Sequence, residues 1–195
     1  MTATTATVPA LSAVLPTAEL IHDRATIEAA IAGMAGRIAA DHAGVRPVFL
    51  TLMHGALPFA AQLALGVGAH GVDLEMDYVH ATRYRGATAG GELLWKRRPE
   101  VSLRGRHVLL VDDILDEGHT LDAVRAWCVA QGAREVRIAA MVVKRHDRCV
   151  AGLCADYAGL DVPDRYVFGY GMDYHEQGRN LPAIYALAED GADGA

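Results

Sequence analysis

Apolar residues recur at helical spacing at Ile27, Ile31, Met34 and Ile38, which predicts an amphipathic helix over residues 23–42. Asp23 suits its N-cap and Gly44 its stop. Residues 47–53, PVFLTLM, read as a strand. His54-Gly55-Ala56 then reads as a turn, and Pro58 opens a second helix that reaches about Leu65. Residues 72–80 alternate apolar and polar positions, as a half-buried strand does. Residues 82–91 read as a mobile loop before a return strand at 92–96. The run 107–111 predicts a central strand, and Leu121, Val124 and Cys128 share one face of the helix that follows, which stops near Gly132. Further strands are expected at 136–143, 156–158 and 166–170, the last followed by a loop over 171–181. Strands that alternate with helices predict an α/β domain built on a mostly parallel sheet. No repeat or linker divides it, so residues 19–187 read as one domain, with a disordered tail at 1–18 and another tail at 188–195.

Composition narrows the class. The chain has 195 residues, 52% hydrophobic and 22% charged, which is a soluble globular balance. No apolar run approaches the ~20 residues of a membrane span, and the first residues lack the basic start and apolar core of a signal peptide. Cys128, Cys149 and Cys154 form no CxxC pair, which fits a reducing, cytoplasmic setting. A net charge of −6 argues against a nucleic-acid surface. Arg83, Arg85, Lys96, Arg97, Arg98, Arg104 and Arg106 nevertheless crowd one region. They form either a solvated face or the surroundings of a small anionic ligand.

The most informative stretch is VLLVDDILDEGHTL, residues 108–121. It reads as a buried strand, a pair of carboxylates, a tight turn and the start of a helix. Ligands of open α/β sheets bind at the carboxyl ends of the strands. The free N–H groups at the start of a helix suit a phosphate. Carboxylates beside such a cradle call for a ligand with hydroxyls, a metal or both, and a phosphorylated ribose meets that description. A receiver domain would place its acidic pair near its beginning, whereas about half of this chain comes first. Neither GxGxxG nor GxxxxGK[ST] is present. Capping alone would account for Asp116 or Thr120 but not for the acidic pair.

The same stretch resembles the phosphoribosyl-diphosphate motif of type I phosphoribosyltransferases. VVKRHDR, followed by PDRYVFGYGMDYHEQGRNLP, resembles the purine-binding half of the hypoxanthine-guanine members, and the resemblance runs over roughly residues 20–187. It implies a type I phosphoribosyltransferase-like α/β fold, with a mostly parallel central sheet flanked by helices and a small hood over the base site. That hood comes from the N-terminal and C-terminal segments. The implied activity is transfer of a phosphoribosyl group to a purine, with magnesium (Mg2+) as cofactor. Purine base and 5-phosphoribosyl diphosphate are the implied substrates, and a homo-oligomer, dimer or tetramer, the implied assembly. The alternatives are a xanthine-preferring enzyme or a nucleotide-sensing regulator of the same fold.

Residue by residue, the resemblance gives Asp112 and Asp113 to the ribose hydroxyls. Asp116, Glu117, Gly118, His119 and Thr120 go to the 5′-phosphate, with Asp116 also the catalytic acid or base beside purine N7. Lys144, Tyr166, Val167 and Asp173 go to the purine, and Asp173 also to the metal. His54, Gly55 and Arg179 go to diphosphate, and Arg83 and Tyr84 to the mobile loop. Relatives often carry Thr at position 117, Phe at 166, Lys or Arg at 54 and Ser at 83. They often have a cis peptide in the diphosphate loop. Glu117 must therefore turn its side chain away from the phosphate, and the Tyr166 hydroxyl needs a partner.

Overall fold

A computed structural model describes residues 8–83 and 93–188. Its centre is a six-stranded sheet of order β4-β3-β2-β5-β6-β7. The strands are β2 (Val48–Leu52), β3 (Glu75–Arg83), β4 (Leu93–Arg97), β5 (His107–Leu115), β6 (Glu135–Lys144) and β7 (Tyr157–Val162). All pair in parallel except β4, which returns antiparallel along β3. Every residue of β2 is buried, because both faces of the sheet are covered. On one face, Phe49, Leu109 and Met141 pack under α2 (Arg24–Asp41) and α3 (Leu57–Ala69). On the other, Leu50, Leu110 and Ile138 pack under α4 (His119–Ala130). Side chains alternate across a strand, so consecutive apolar residues serve two cores.

The predicted helix at residues 23–42 forms as α2, and the Asp23 carboxylate accepts the Thr26 N–H at 2.8 Å as its N-cap. Other boundaries differ. β5 continues four residues beyond Val111 and takes Asp112 and Asp113 into the strand. Its pairing with β2 stops at Val111, but β6 carries on beside it, with Asp112 opposite Ala140 and Leu115 opposite Val143. One intact ladder is enough to keep the acidic pair extended. In the same way α3 runs on to Ala69, and β7 is twice the expected length because β6 templates it.

A second, three-stranded sheet of order β1-β9-β8 was not foreseen as a sheet. It joins β1 (Glu19–His22), β8 (Val167–Phe168) and β9 (Ile184–Ala186). These strands are too short to show a period in sequence, and β8 is only the middle of the strand expected at 166–170. The expectation of a disordered tail over 1–18 also needs correcting where the structure describes it. Leu11–Val14 form a helical turn, α1, and the Leu11 N–H donates to Gln177 Oε1 at 2.8 Å. That long-range contact stands outside any local sequence pattern. The expected mobile loop, with Tyr84, lies outside the described residues, and Arg83 is described only as the last backbone position of β3. No described helix is long and apolar enough to cross a membrane.

Candidate active site

The parallel strands end at one edge of the sheet, and the chemically distinctive residues gather there. After β2 comes the turn holding His54 and Gly55, with a cis peptide between Met53 and His54. The His54 ring meets the ring of His80, on β3, edge to face at 4.5 Å. Next to this turn stand Asp112 and Asp113 of β5. The approach is so close that a Cβ on Gly55 would fall 2.0 Å from Asp113 Oδ2. Both carboxyls are enclosed by protein on most sides while keeping part of their surface open. Burial and then the negative charge of Asp113 push the Asp112 carboxyl well above the usual carboxylate range. Burial also raises Asp113, against the opposing pull of a hydrogen bond from Asp112 and the positive charge of Arg179. Two acids held like this favour a partner that donates hydrogen bonds or brings positive charge.

Beyond β5 the chain turns through Asp116, Glu117 and Gly118 into α4. Gly118 adopts φ +79°, in the left-handed region, and this swings the first turn of the helix toward the sheet edge. The N–H groups of that first turn have no partner inside the helix. His119 and Thr120 are the first two helical residues. Glu117 points between the His119 ring and the Arg148 guanidinium, 3.6 Å from His119 Nε2 and 3.9 Å from Arg148 Nε. Its side chain thus leaves the turn, as its size and charge require.

Lys144 ends β6 and His146 follows two residues later. Lys144 Nζ donates to Asp116 Oδ2 at 2.6 Å and His146 Nε2 meets Oδ1 at 2.5 Å. Burial disfavours charge on Asp116, but the hydrogen bonds from Lys144 and His146, with the positive charge nearby, outweigh it and hold the carboxyl below its usual range.

The last part of the site is the loop after β8. Arg179 donates to Gly171 O at 2.7 Å and pairs with the Asp173 carboxylate, Nη2 to Oδ1 at 2.6 Å. Asp173 Oδ2 accepts the Glu176 N–H at 2.8 Å. A Cβ on Gly171, where φ is +103°, would fall 1.9 Å from Gly55 O, so this loop lies directly on the turn after β2. Tyr166 is half-exposed, stacks on the His175 ring and donates its hydroxyl to Asp173 O at 3.1 Å. Val167 is buried in β8 beside it.

The phosphoribosyl transferase domain family matches residues 17–174, most of the chain and nearly all of this site. The chain belongs to that family. This phosphoribosyltransferase is 36% identical over 170 residues to a hypoxanthine-guanine phosphoribosyltransferase of Streptococcus pneumoniae, covering 87% of this chain and 91% of that one. With the enzyme of the same name from Streptococcus thermophilus it shares 35% over 151 residues, 77% and 82% of the two chains. Hypoxanthine phosphoribosyltransferase from Trypanosoma cruzi, solved as a ternary substrates complex, superposes with a TM-score of 0.82 at 28% identity, covering 89% of this chain and 97% of that one. The Staphylococcus aureus counterpart gives 0.80 at 27%, covering 87% and 91%. Within the family, the chain stands with the hypoxanthine-guanine members.

In this phosphoribosyltransferase the residues singled out from sequence separate into two groups, joined along the chain by β5 and the turn after it. Asp112, Asp113, His54, Gly55 and Arg179 lie around the acidic pair, with Arg179 close enough to affect Asp113. Asp116 through Thr120 and Lys144 lie around the α4 start. Tyr166, just before β8, is tied through its hydroxyl to Asp173 of the loop after β8, and Gly171 of that loop lies on the turn holding Gly55. His146 was missed. Its signal was available: side chains two apart along an extended segment point the same way, so whatever Lys144 faces, His146 faces too.

Proposed function

We propose that this phosphoribosyltransferase transfers the 5-phosphoribosyl group from 5-phosphoribosyl 1-diphosphate to N9 of hypoxanthine or guanine, releasing diphosphate and IMP or GMP. The observation that carries the reading is the 2.6 Å pair between Lys144 and Asp116. It joins the acid of the sugar-phosphate motif to the lysine of the purine motif, 28 residues further along the chain.

The sugar is positioned by Asp112 and Asp113, which accept from its hydroxyls, and its 5′-phosphate by the amides of residues 116–120 with the Thr120 hydroxyl. As the bond from C1′ to diphosphate breaks, positive charge grows on the ribose ring and the nearby carboxylates stabilise it. The purine stacks on Tyr166, its edge beside the Val167 backbone. Lys144 donates to the 6-oxo group. Adenine offers an amino donor at that position instead, and sites built on such pairing discriminate by about four orders of magnitude. Asp116 accepts the proton the purine loses as the new bond to C1′ forms. Arg179 and the turn at His54 and Gly55 receive the diphosphate.

Magnesium fits this residue set. Among the described residues no group of three or more His, Cys, Asp or Glu is arranged as a metal cage. Magnesium seldom uses such a cage, taking one or two carboxylates together with substrate phosphates. Asp173 would supply the carboxylate. The ion, when bound, neutralises charge on the leaving diphosphate. The proposal includes a homo-oligomeric assembly, dimer or tetramer. Neither the xanthine-preferring nor the regulatory alternative is favoured by the relatives' names.

The test is a spectrophotometric assay of hypoxanthine, guanine, xanthine and adenine with 5-phosphoribosyl diphosphate and magnesium, on the parent and on Asp116→Asn. Turnover of hypoxanthine or guanine is expected, with adenine inert. In the variant kcat should fall by about 10²–10⁴ while the KM values stay within a few-fold. Absence of turnover with every base would refute the activity, and an unchanged kcat in the variant would refute the role of Asp116.

A further inference from the structure

Asp116 has two carboxylate oxygens and each is engaged, Oδ2 by Lys144 and Oδ1 by His146. In the reaction proposed above Lys144 turns to the purine oxo group, so one of the two donors leaves. His146 is built to remain. Its side chain is only 3% exposed. Its other ring nitrogen, Nδ1, accepts the Arg148 backbone N–H at 3.1 Å. A ring nitrogen that accepts carries no proton, so this bond places the proton on Nε2, facing Asp116. A second proton on Nδ1 would meet the Arg148 N–H head-on.

We propose that His146 is a positioning residue for phosphoribosyl transfer. Fixed as the neutral Nε2–H tautomer, it sets the plane of the Asp116 carboxylate and keeps Oδ1 hydrogen-bonded after Lys144 has moved to the base. Oδ2 is thereby presented, ionised, to the purine nitrogen that loses its proton. The inference rests on the acid–base role of Asp116. The proton balance is simple: the purine N–H breaks, an O–H forms on Asp116, and His146 neither gains nor loses a proton. The bond from C1′ to N9 forms as the diphosphate oxygen leaves C1′ with its electron pair.

The surroundings hold this arrangement in place. Arg148 grips Asp164 through both guanidinium nitrogens, at 2.6 and 2.8 Å. The Val150 N–H donates to Glu117 O at 2.9 Å, tying the segment after His146 to the phosphate-binding turn. The ionisable groups around Asp116 are Lys144, His146, Arg148, Glu117 and Cys149. Asp164 already balances much of the Arg148 charge, and Glu117 opposes the rest. The short hydrogen bonds from Lys144 and His146 therefore decide the state of the carboxyl. Once Lys144 is engaged by the base, His146 decides it alone.

The experiment is the single-turnover rate against pH, with saturating hypoxanthine, 5-phosphoribosyl diphosphate and magnesium, for the parent, His146→Leu and His146→Gln. Leu fills the space without a donor, whereas Gln restores an N–H of similar reach. In His146→Leu the acid limb should move up by about one pH unit and the plateau should fall about tenfold. In His146→Gln the limb should return toward the parent's position, and in neither should the KM for 5-phosphoribosyl diphosphate change more than about twofold. A His146→Leu limb superimposed on the parent's would overturn the proposal. A second readout does not depend on either variant being active. In 15N spectra of the parent, the His146 ring, assigned by its loss in His146→Gln, should show a protonated Nε2 and a bare Nδ1 near neutral pH. An imidazolium or the Nδ1–H form would overturn the proposal equally. If Asp116→Asn keeps full turnover, the acid–base reading itself falls. If that variant is crippled while His146→Leu keeps the parent's limb, only the role of His146 falls.

Discussion

At the scale of single residues, the acidic pair in β5 is held against its own stability. Burial raises the pKa of both Asp112 and Asp113 in the folded protein. A carboxyl raised by folding binds more protons folded than unfolded, so stability falls as pH climbs from the ordinary value of about 4 through the raised one. At neutral pH the pair is therefore a net cost to the fold. Asp112→Asn keeps an oxygen for the Asp113 N–H, which Asp112 Oδ1 accepts at 3.0 Å, and removes the repulsion. The variant should be more stable at pH 7 by about 1 kcal/mol, a rise of about 3 °C in Tm, with the gain vanishing near pH 4. Scanning calorimetry at the two pH values checks this, and an unchanged or lowered Tm at pH 7 would contradict it. The pair was legible in sequence because two acids at the end of an apolar run are chemically conspicuous. The facing of His146 was legible from its spacing to Lys144, but its hydrogen bonding was not, since that depends on a main-chain N–H from Arg148. Likewise the sequence implies that the Tyr166 hydroxyl needs a partner, but that partner, Asp173 O, belongs to a loop whose path only the fold defines.

Among the elements, the β3–β4 hairpin shows how one side chain can organise a unit. Asp77 is almost wholly buried, and it accepts four hydrogen bonds: from Arg97 Nη1 and the Tyr78 N–H on Oδ1, and from the Glu100 and Val101 N–H groups on Oδ2. Burial alone would raise its pKa, but these donors outweigh burial and hold it below the usual range. Its contribution to stability is thus complete above the ordinary carboxylate pKa and is lost as pH falls through the folded value. Asp77→Ala leaves Arg97 and three main-chain donors short of a partner, and should cost about 3 kcal/mol in urea unfolding at pH 7. A loss below about 1 kcal/mol would show that water replaces the carboxylate. Long elements with a clear period, such as α2 and the middle of β5, could be read from the chain. Element ends could not. Whether β5 stops at Val111 or Leu115 is decided by the ladder that β6 offers, and this is a property of a neighbour.

In the molecule as a whole, two sheets share one core. Ile184, on the central strand of the small sheet, is fully buried in the same apolar cluster as Ile27 and Ile38 of α2 and Leu109 of β5. The small sheet and the main sheet should therefore unfold together. Ile184→Ala should lower stability by about 3 kcal/mol, or about 9 °C in Tm, in a single calorimetric transition. Two separated transitions would contradict the shared core. The main sheet was legible in advance, because parallel strands buried on both faces leave long apolar runs. The small sheet was not, because β1 comes from the far end of the chain from β8 and β9 and none of the three exceeds four residues.

Within that small sheet Glu19 lies directly opposite Ala186, so the first and last strands of the fold run side by side. The path of the backbone is nearly a ring. A short peptide bridging the end of β9 to the start of β1 would close it. New termini could then be opened at the Gln131–Gly132 turn, on the edge of the sheet away from the active site, giving a circular permutant in which every strand keeps its neighbours.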